Sequence, residues 1–174
     1  ANLLTSQWLA TAIGGASQLH YCLLQTGPNK NGAYALVVSA TVQAAIDAGP
    51  YYYGMAYLNT GSTGSAVPAD ISKYNKLRFY AALCDAVEGS ASLLFTVNIY
   101  GGTSSQASIN VATAFNPVFK DYSLNLSDFT VDSGTLADLK SGLKQIIFNV
   151  FIQSPAANDT ADIQFYIDDV RFTQ

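Results

Sequence analysis

The feature that most constrains the fold is a series of short runs in which apolar and polar residues alternate. Successive side chains of a β-strand point to opposite faces, so such alternation predicts strands with one buried face. Segments rich in Gly, Pro, Asn and Ser separate the runs, as at residues 26–32 and 59–68. The predicted strands cover residues 3–11, 18–25, 34–40, 52–59, 76–84, 92–100, 105–112, 121–125, 145–152 and 163–172.

Helical patterns are short and few. Residues 40–48 have helical propensity, and residues 133–143 form an apolar-periodic run that begins after Ser or Gly. Neither pattern alternates with strands as a parallel α/β sheet requires. The sequence therefore predicts an all-β protein: an antiparallel two-sheet β-sandwich of jelly-roll type, with at most one or two short helices, forming one domain over residues 1–174. Because the chain begins at Ala1, we expect a processed mature protein or a module of a longer chain.

The composition excludes two classes of partner. Charged residues make up only 11% of the chain, and Glu88 is the one glutamate among twelve acidic residues. Because Lys and Glu furnish most solvated helix faces, their scarcity favours a sheet protein with a Ser, Thr, Asn and Gly surface. The net charge of −4 argues against a nucleic-acid partner, because proteins bind nucleic acids largely through Lys and Arg side chains that neutralise the phosphates.

No uncharged apolar run is long enough to cross a bilayer and no leader opens the chain, so we expect no membrane partner.

Several motifs occur in an order that is similar to one family of modules. They are "ISKYNKLRFYAAL" at 71–83, "FKDYSLNLSDF" at 119–129, "LKQIIFNVFIQ" at 143–153 and "ADIQFYIDDVRF" at 161–172. Together they resemble the jelly-roll, galactose-binding-like carbohydrate-binding modules, and most of all those that bind single β-glucan chains in a cleft. The likeness departs at Lys144, Ile147 and Val150, where such relatives carry Asp, His and Tyr, so the particular polysaccharide is not predicted.

The resemblance implies a function, a partner and a location. We expect non-catalytic binding of a β-linked plant or microbial polysaccharide, of β-glucan or hemicellulose type, in a cleft on one sheet. The module would be a secreted, extracellular accessory of a glycoside hydrolase, monomeric, with a catalytic domain on the same parent chain. The alternative is a structural or adhesive β-sandwich domain of a surface appendage or phage tail, whose exposed aromatic residues form a protein interface.

The sequence lacks the residues of a catalytic site. A glycosidase needs two carboxylates that flank its substrate, but most acidic residues here lie in turn contexts such as "NLSDF" and "AANDT", where Asp bonds to the local backbone. His20 is the only histidine, Arg78 and Arg171 are the only arginines, and no Gly-x-Ser-x-Gly motif occurs. We therefore predict that the protein is not an enzyme.

Tyrosines are concentrated in "GPYYYGMAYLNTG", residues 49–61. A tyrosine ring offers a sugar an apolar face, and its hydroxyl forms hydrogen bonds. If this segment is a strand, Gly54, Ala56 and Leu58 are the residues best suited to the core. Tyr51, Tyr53 and Tyr57 then lie on the opposite face, where a ligand could bind. The resemblance instead assigns Tyr52 to sugar stacking, so the register stays open. The candidates on this strand are Tyr51, Tyr52, Tyr53 and Tyr57.

Two further strands offer candidate sugar contacts. If Phe95, Val97 and Ile99 face the core, then Asn98 and Tyr100 face outward. The same parity argument on residues 145–153 places Asn149, Phe151 and Gln153 together as an amide, aromatic, amide row, although a loop that simply covers Phe151 is an equal alternative. Two other residues have less bearing on the site: Arg78 is either a ligand contact or a solvated charge, and Trp8 is favoured as a core residue.

A structural calcium ion and a disulfide are the last expectations. The resemblance places calcium between the N-terminal segment and the last strand, where Asp168 and Asp169 offer carboxylates. Calcium requires about six to eight oxygen ligands, which N-terminal backbone carbonyls would have to complete because residues 2–11 contain no acid. Cys22 and Cys84 form either one disulfide or two buried free thiols.

Overall fold

The computed structural model describes residues 8–13, 18–20, 36–43, 51–59, 68–87, 92–102, 104–111, 118–153 and 160–174. Side-chain positions are described for residues 68–82, 94–102, 104–111, 118–149 and 165–174. The strands are β1 (Trp8–Ile13), β2 (Gln18–His20), β3 (Leu36–Gln43), β4 (Tyr51–Asn59), β5 (Lys76–Val87), β6 (Ser92–Gly101), β7 (Gln106–Val111), β8 (Lys120–Asn125), β9 (Thr130–Ser133), β10 (Leu143–Gln153) and β11 (Thr160–Thr173). A 3-10 turn (Leu126–Asp128) and the helix α1 (Leu136–Ser141) complete the elements. No helix in these ranges is long and apolar enough to span a membrane.

The strands form two antiparallel sheets. Sheet A has six strands in the order β1-β4-β10-β6-β7-β9, and sheet B has five in the order β2-β3-β11-β5-β8. Most spatial neighbours are distant in sequence, as in the pairing of β10 with both β4 and β6. The predicted fold, a two-sheet antiparallel β-sandwich with little helix, is confirmed.

Aromatic residues from both sheets fill the core. Phe79 of sheet B is fully buried, and its ring centroid lies 5.0 Å from that of Phe148 and 6.3 Å from that of Phe95, both in sheet A. Phe95 in turn contacts Phe165 of sheet B, with centroids 6.4 Å apart. Edge-to-face and offset pairs at these distances add stability beyond the buried apolar area. The interlocked rings fix which face of each sheet points inward.

Alternation located the strands well, with two corrections. Each predicted strand overlaps a strand of the structure. The prediction of a helix at 40–48 is wrong for residues 40–43, which continue β3 and pair with β11; residues 44–48 lie outside the described residues. Strand β9 was not predicted, because all four of its residues are exposed and alternation needs a buried face.

The second predicted helix is confirmed as α1. Thr135 caps its N-terminus: the Thr135 hydroxyl accepts a hydrogen bond from the Asp138 backbone N–H at 3.1 Å and donates to the Asp138 carboxylate at 2.7 Å. Gly134 precedes the cap with a φ of +71°, and a Cβ at that position would lie 2.7 Å from the Cβ of buried Ser105. Glycine is therefore required where the chain passes from β9 to α1.

Candidate functional site

The outer face of sheet A carries the polar residues that alternate with the core. In β6, Phe95, Val97 and Ile99 are buried in the core. Asn98 and Tyr100 therefore lie on the opposite face, and both are half-buried. The predicted parity of this strand is confirmed.

Tyr100 lies between two glutamines on that outer face. The register places Tyr100 directly opposite Gln145 of β10 on one side and Gln106 of β7 on the other. In the next row, Asn98 lies opposite Ser108 of β7. All of these side chains are half-buried and so reach the surface. We call this group the Tyr100 strip; its members are Asn98, Tyr100, Gln106, Ser108 and Gln145.

A tight hairpin fixes the geometry of the strip. Strands β6 and β7 are joined by a turn in which the Gly101 backbone N–H donates to the Ser105 carbonyl at 2.8 Å. Ser104 has a φ of +61° inside this turn, and its carbonyl accepts a hydrogen bond from the hydroxyl of Ser133. A register shift between Leu143 and Gln145 then sets Gln145 opposite Tyr100. The aromatic ring and its amide neighbours thus lie at the end of the sheet beside the β6–β7 turn.

Three members of the strip, Gln106, Ser108 and Gln145, were not predicted from the sequence. A signal was present for Gln145, which has the same parity as the predicted contact Asn149 on the same strand. Gln106 and Ser108 gave no such signal, because only the pairing of β6 with β7 brings them beside Tyr100 and Asn98.

The centre of the same outer face is buried. Thr96, Ile147 and Asn149 are exposed by only 5%, 5% and 1%, although they alternate with core residues. The Asn149 amide donates to the Thr96 hydroxyl over a long 3.4 Å, and its Oδ1 atom has no hydrogen-bond partner among the described residues. The predicted sugar contact Asn149 therefore lies below the accessible surface in this structure.

We expect Asn149→Leu, a near-isosteric change, to alter the free energy of unfolding by no more than about 1 kcal/mol in either direction. A buried acceptor that lacks a partner already carries its desolvation penalty of about 1–3 kcal/mol, and the leucine removes that penalty. Urea denaturation of Asn149→Leu, with Thr96→Val as the comparison variant, measures the change in the free energy of unfolding. A loss of more than about 2 kcal/mol in Asn149→Leu would show that Oδ1 is satisfied by a partner in the folded protein.

The tyrosine-rich strand β4 pairs with β10 on the side away from β6. Backbone register places Tyr51, Tyr53 and Tyr57 opposite Gln153, Phe151 and Ile147. The last three positions share the outer parity of Asn149. Tyr52 is instead opposite Ile152, in the parity of the core residue Phe148. The structure thus has the register that alternation favoured, while the side chains of β4 and those of Phe151 and Gln153 lie outside the described ones.

The predicted calcium ligands lie at a bulge on sheet B. Asp168 accepts a hydrogen bond from the Asp169 backbone N–H at 2.7 Å, and the Asp169 carboxylate forms an ion pair with Arg171. In the described part of the chain no three His, Cys, Asp or Glu side chains come together. These residues by themselves do not fit a calcium ion, since a guanidinium already contacts one carboxylate. Residues 2–7 lie outside the described residues, so calcium remains a prediction.

Two other expectations rest on partly described residues. Trp8 lies opposite Leu58, and Leu58 lies opposite Ile146 of the core, so the register puts position 8 on the inner parity of sheet A. Cys22 is outside the described residues, and Cys84 is described only as a backbone position of β5. A disulfide between the two cysteines remains a prediction.

Comparison with known proteins identifies the fold. No family model matches the sequence, and no curated protein matches it. Among solved structures, this chain is similar to the family 11 carbohydrate-binding module from Clostridium thermocellum in complex with a β-1,3-1,4-mixed-linked tetrasaccharide, with a TM-score of 0.60, 15% identity and coverage of 95% of this chain and 88% of that one. The family 11 module of the cellulosomal cellulase Lic26A-Cel5E of the same organism has a TM-score of 0.59 and 14% identity, with coverage of 95% of this chain and 86% of that one. A family 30 module of the cellulosomal cellulase Cel9D-Cel44B of that organism has a TM-score of 0.54 and 12% identity, with coverage of 95% of this chain and 91% of that one.

These likenesses show a shared fold. The β-sandwich of carbohydrate-binding modules, which the sequence resemblance implied, is the fold of this chain. Identities of this size leave the ligand to be argued from the surface of the molecule itself.

Proposed function

We propose that this protein is a non-catalytic module that binds a β-linked polysaccharide on the outer face of sheet A. The observation that carries the proposal is the Tyr100 strip, in which the register sets an aromatic ring between two glutamines at the end of sheet A. A sugar ring stacks on an apolar aromatic face while amides and hydroxyls bond to its hydroxyl groups. The shared fold with carbohydrate-binding modules supports the same function.

The chemistry of this face supports binding rather than hydrolysis. The described outer-face side chains of β6, β7 and β10 are amides, hydroxyls and apolar groups, with no carboxylate and no histidine among them: Leu94, Thr96, Asn98, Tyr100, Gln106, Ser108, Asn110, Gln145, Ile147 and Asn149. Glycoside hydrolysis requires a carboxylic acid and a carboxylate on either side of the scissile bond. This part of the face binds sugars without supplying those groups.

We further propose the polysaccharide that the module binds, its location outside the cell and the domain with which it acts. A β-glucan or hemicellulose is the polysaccharide, and the tyrosine positions of β4 extend the site across the sheet. The module acts outside the cell as a monomer, and a catalytic domain on the same parent chain cleaves the polysaccharide that it holds.

Affinity electrophoresis tests the function. We expect the mobility of the protein to fall in native gels that contain β-glucan, xyloglucan, mannan or xylan, with at least one glycan retarding it in proportion to its concentration. A protein of similar size and charge that binds no glycan serves as the mobility control. Unchanged mobility with all four polysaccharides would contradict the proposal, and oligomers in light scattering would instead favour a structural or adhesive domain.

A further inference from the structure

The outer face of sheet B carries a group of charged side chains on its strands β5, β8 and β11. In β5, Leu77, Phe79 and Ala81 are buried in the core, so Arg78 and Tyr80 lie on the opposite face. Cross-strand pairing then places two rows side by side, Asp121–Tyr80–Asp168 and Ser123–Arg78–Arg171. We call this group the arginine face; its members are Arg78, Tyr80, Asp121, Asp168, Asp169 and Arg171.

The two arginines of the sequence lie directly opposite each other on β5 and β11. Like charges in that relation destabilise a sheet. Each guanidinium is balanced by a carboxylate, Arg78 by Asp121 and Arg171 by Asp169. Only 11% of the residues of this chain are charged, yet two arginines face each other on one sheet. The repulsion between them is offset by the carboxylates of Asp121 and Asp169.

Stability alone does not account for this arrangement. The paired side chains are partly exposed, at 34% and 38% for Arg78 and Asp121 and at 33% and 28% for Arg171 and Asp169. Ion pairs this open to water contribute little to folding. Local departures from the arrangement that favours folding are a mark of functional surfaces.

The chemistry of the arginine face fits a neutral, polyhydroxylated ligand. Because each guanidinium is already neutralised, the face offers neighbouring donors and acceptors rather than a net positive charge that would select an anion. Adjacent sugar hydroxyls both donate and accept, and so match an arginine and carboxylate pair.

Aromatic rings lie beside these polar groups. The guanidinium carbon of Arg171 lies 5.8 Å from the centroid of the Tyr80 ring, which holds both planar groups in place. In the next row, Phe119 and Tyr166 form an edge-to-face pair with centroids 6.1 Å apart, and both are half-buried. An apolar surface thus borders the hydrogen-bonding cluster, as at a sugar site.

We propose that the arginine face is a second glycan-binding site, on the sheet opposite the Tyr100 strip. The inference rests on the proposed function, because it assumes that the protein binds a neutral oligosaccharide. Two sites that face away from each other cannot both engage one straight stretch of polymer. The module therefore links two polysaccharide chains instead of binding one chain more tightly.

Titration calorimetry tests the stoichiometry, with tetrasaccharides of β-glucan, xyloglucan, mannan and xylan as probes. For the probe that binds, we expect two sites per wild-type chain and one site in Arg78→Met, which keeps the apolar part of the side chain and loses the guanidinium group. Arg78→Lys keeps the positive charge but not the planar set of guanidinium N–H donors, so it should weaken the second site at least tenfold. An unchanged urea midpoint and unchanged circular dichroism show that the variants are folded.

Light scattering with the parent polysaccharide gives an independent readout. Wild-type protein should make the polymer aggregate over a middle range of protein-to-polymer ratios, whereas Arg78→Met should bind the polymer without aggregating it. One site per wild-type chain, unaffected by Arg78→Met, would overturn the second site and leave the proposed function standing. Binding of no probe would remove the proposed function as well. Wild-type dimers that Arg78→Met dissociates would show that this face contacts a second copy of the protein instead.

Discussion

Phe79→Ala should lower the free energy of unfolding by about 3–5 kcal/mol, a large fraction of the roughly 5–15 kcal/mol that stabilises a typical folded domain. Phe79 is fully buried, and its ring contacts those of Phe95, Tyr122 and Phe148. Truncation removes the apolar contact and leaves a cavity between the two sheets, which the rigid strands cannot close. Urea denaturation followed by circular dichroism measures the change.

Two variants calibrate this result. Phe79→Leu keeps most of the volume and should cost clearly less than the alanine variant, since the cavity is smaller. Val131→Ala changes an exposed residue of β9 and should stay within about 0.5 kcal/mol of the wild type. If Phe79→Ala cost no more than Val131→Ala, the two sheets would not be joined through this aromatic cluster.

The strands could be predicted from the sequence because each one buries every second residue. The run 92–100 shows this clearly, since Phe95, Val97 and Ile99 proved to be core residues and Asn98 and Tyr100 proved to lie outside. Strand β9 escaped prediction because it pairs with β7 at the sheet edge and all four of its residues are exposed. A pattern within one segment carries no information about a strand that buries nothing.

The candidate site was only partly predictable, for a related reason. The alternation of residues along a strand predicts the face of the sheet on which each side chain lies. It does not predict which residue lies beside it on the next strand, or whether other parts of the protein bury it. Gln145 and Gln106 meet at Tyr100 only through the order β10-β6-β7. Asn149 has the predicted parity and is nevertheless buried. Both facts belong to the tertiary structure, as does the meeting of Arg78 with Arg171.

Tyr100→Ala should weaken glycan binding on the outer face of sheet A by about 30-fold, which corresponds to about 2 kcal/mol. The Tyr100 ring is the described aromatic side chain of the strip, and the amides beside it form hydrogen bonds that depend on the sugar being held flat on that ring. The residue is half-buried at the end of β6, so folding should lose much less than in Phe79→Ala. Affinity electrophoresis and calorimetry with the glycan that retards the wild type measure the loss.

Conservative variants separate the parts of this effect. Tyr100→Phe keeps the ring and removes the hydroxyl, so it should retain most of the affinity if stacking dominates. Gln106→Ala should lose less than Tyr100→Ala, because an amide at the edge of a sugar adds one or two hydrogen bonds in competition with water. Lys73→Ala changes an exposed turn residue that is not a member of the strip, so it should bind as the wild type does. Full affinity in Tyr100→Ala, with the protein folded, would move the sugar away from this strip and towards the tyrosine positions of β4, where Tyr53→Ala would then abolish binding.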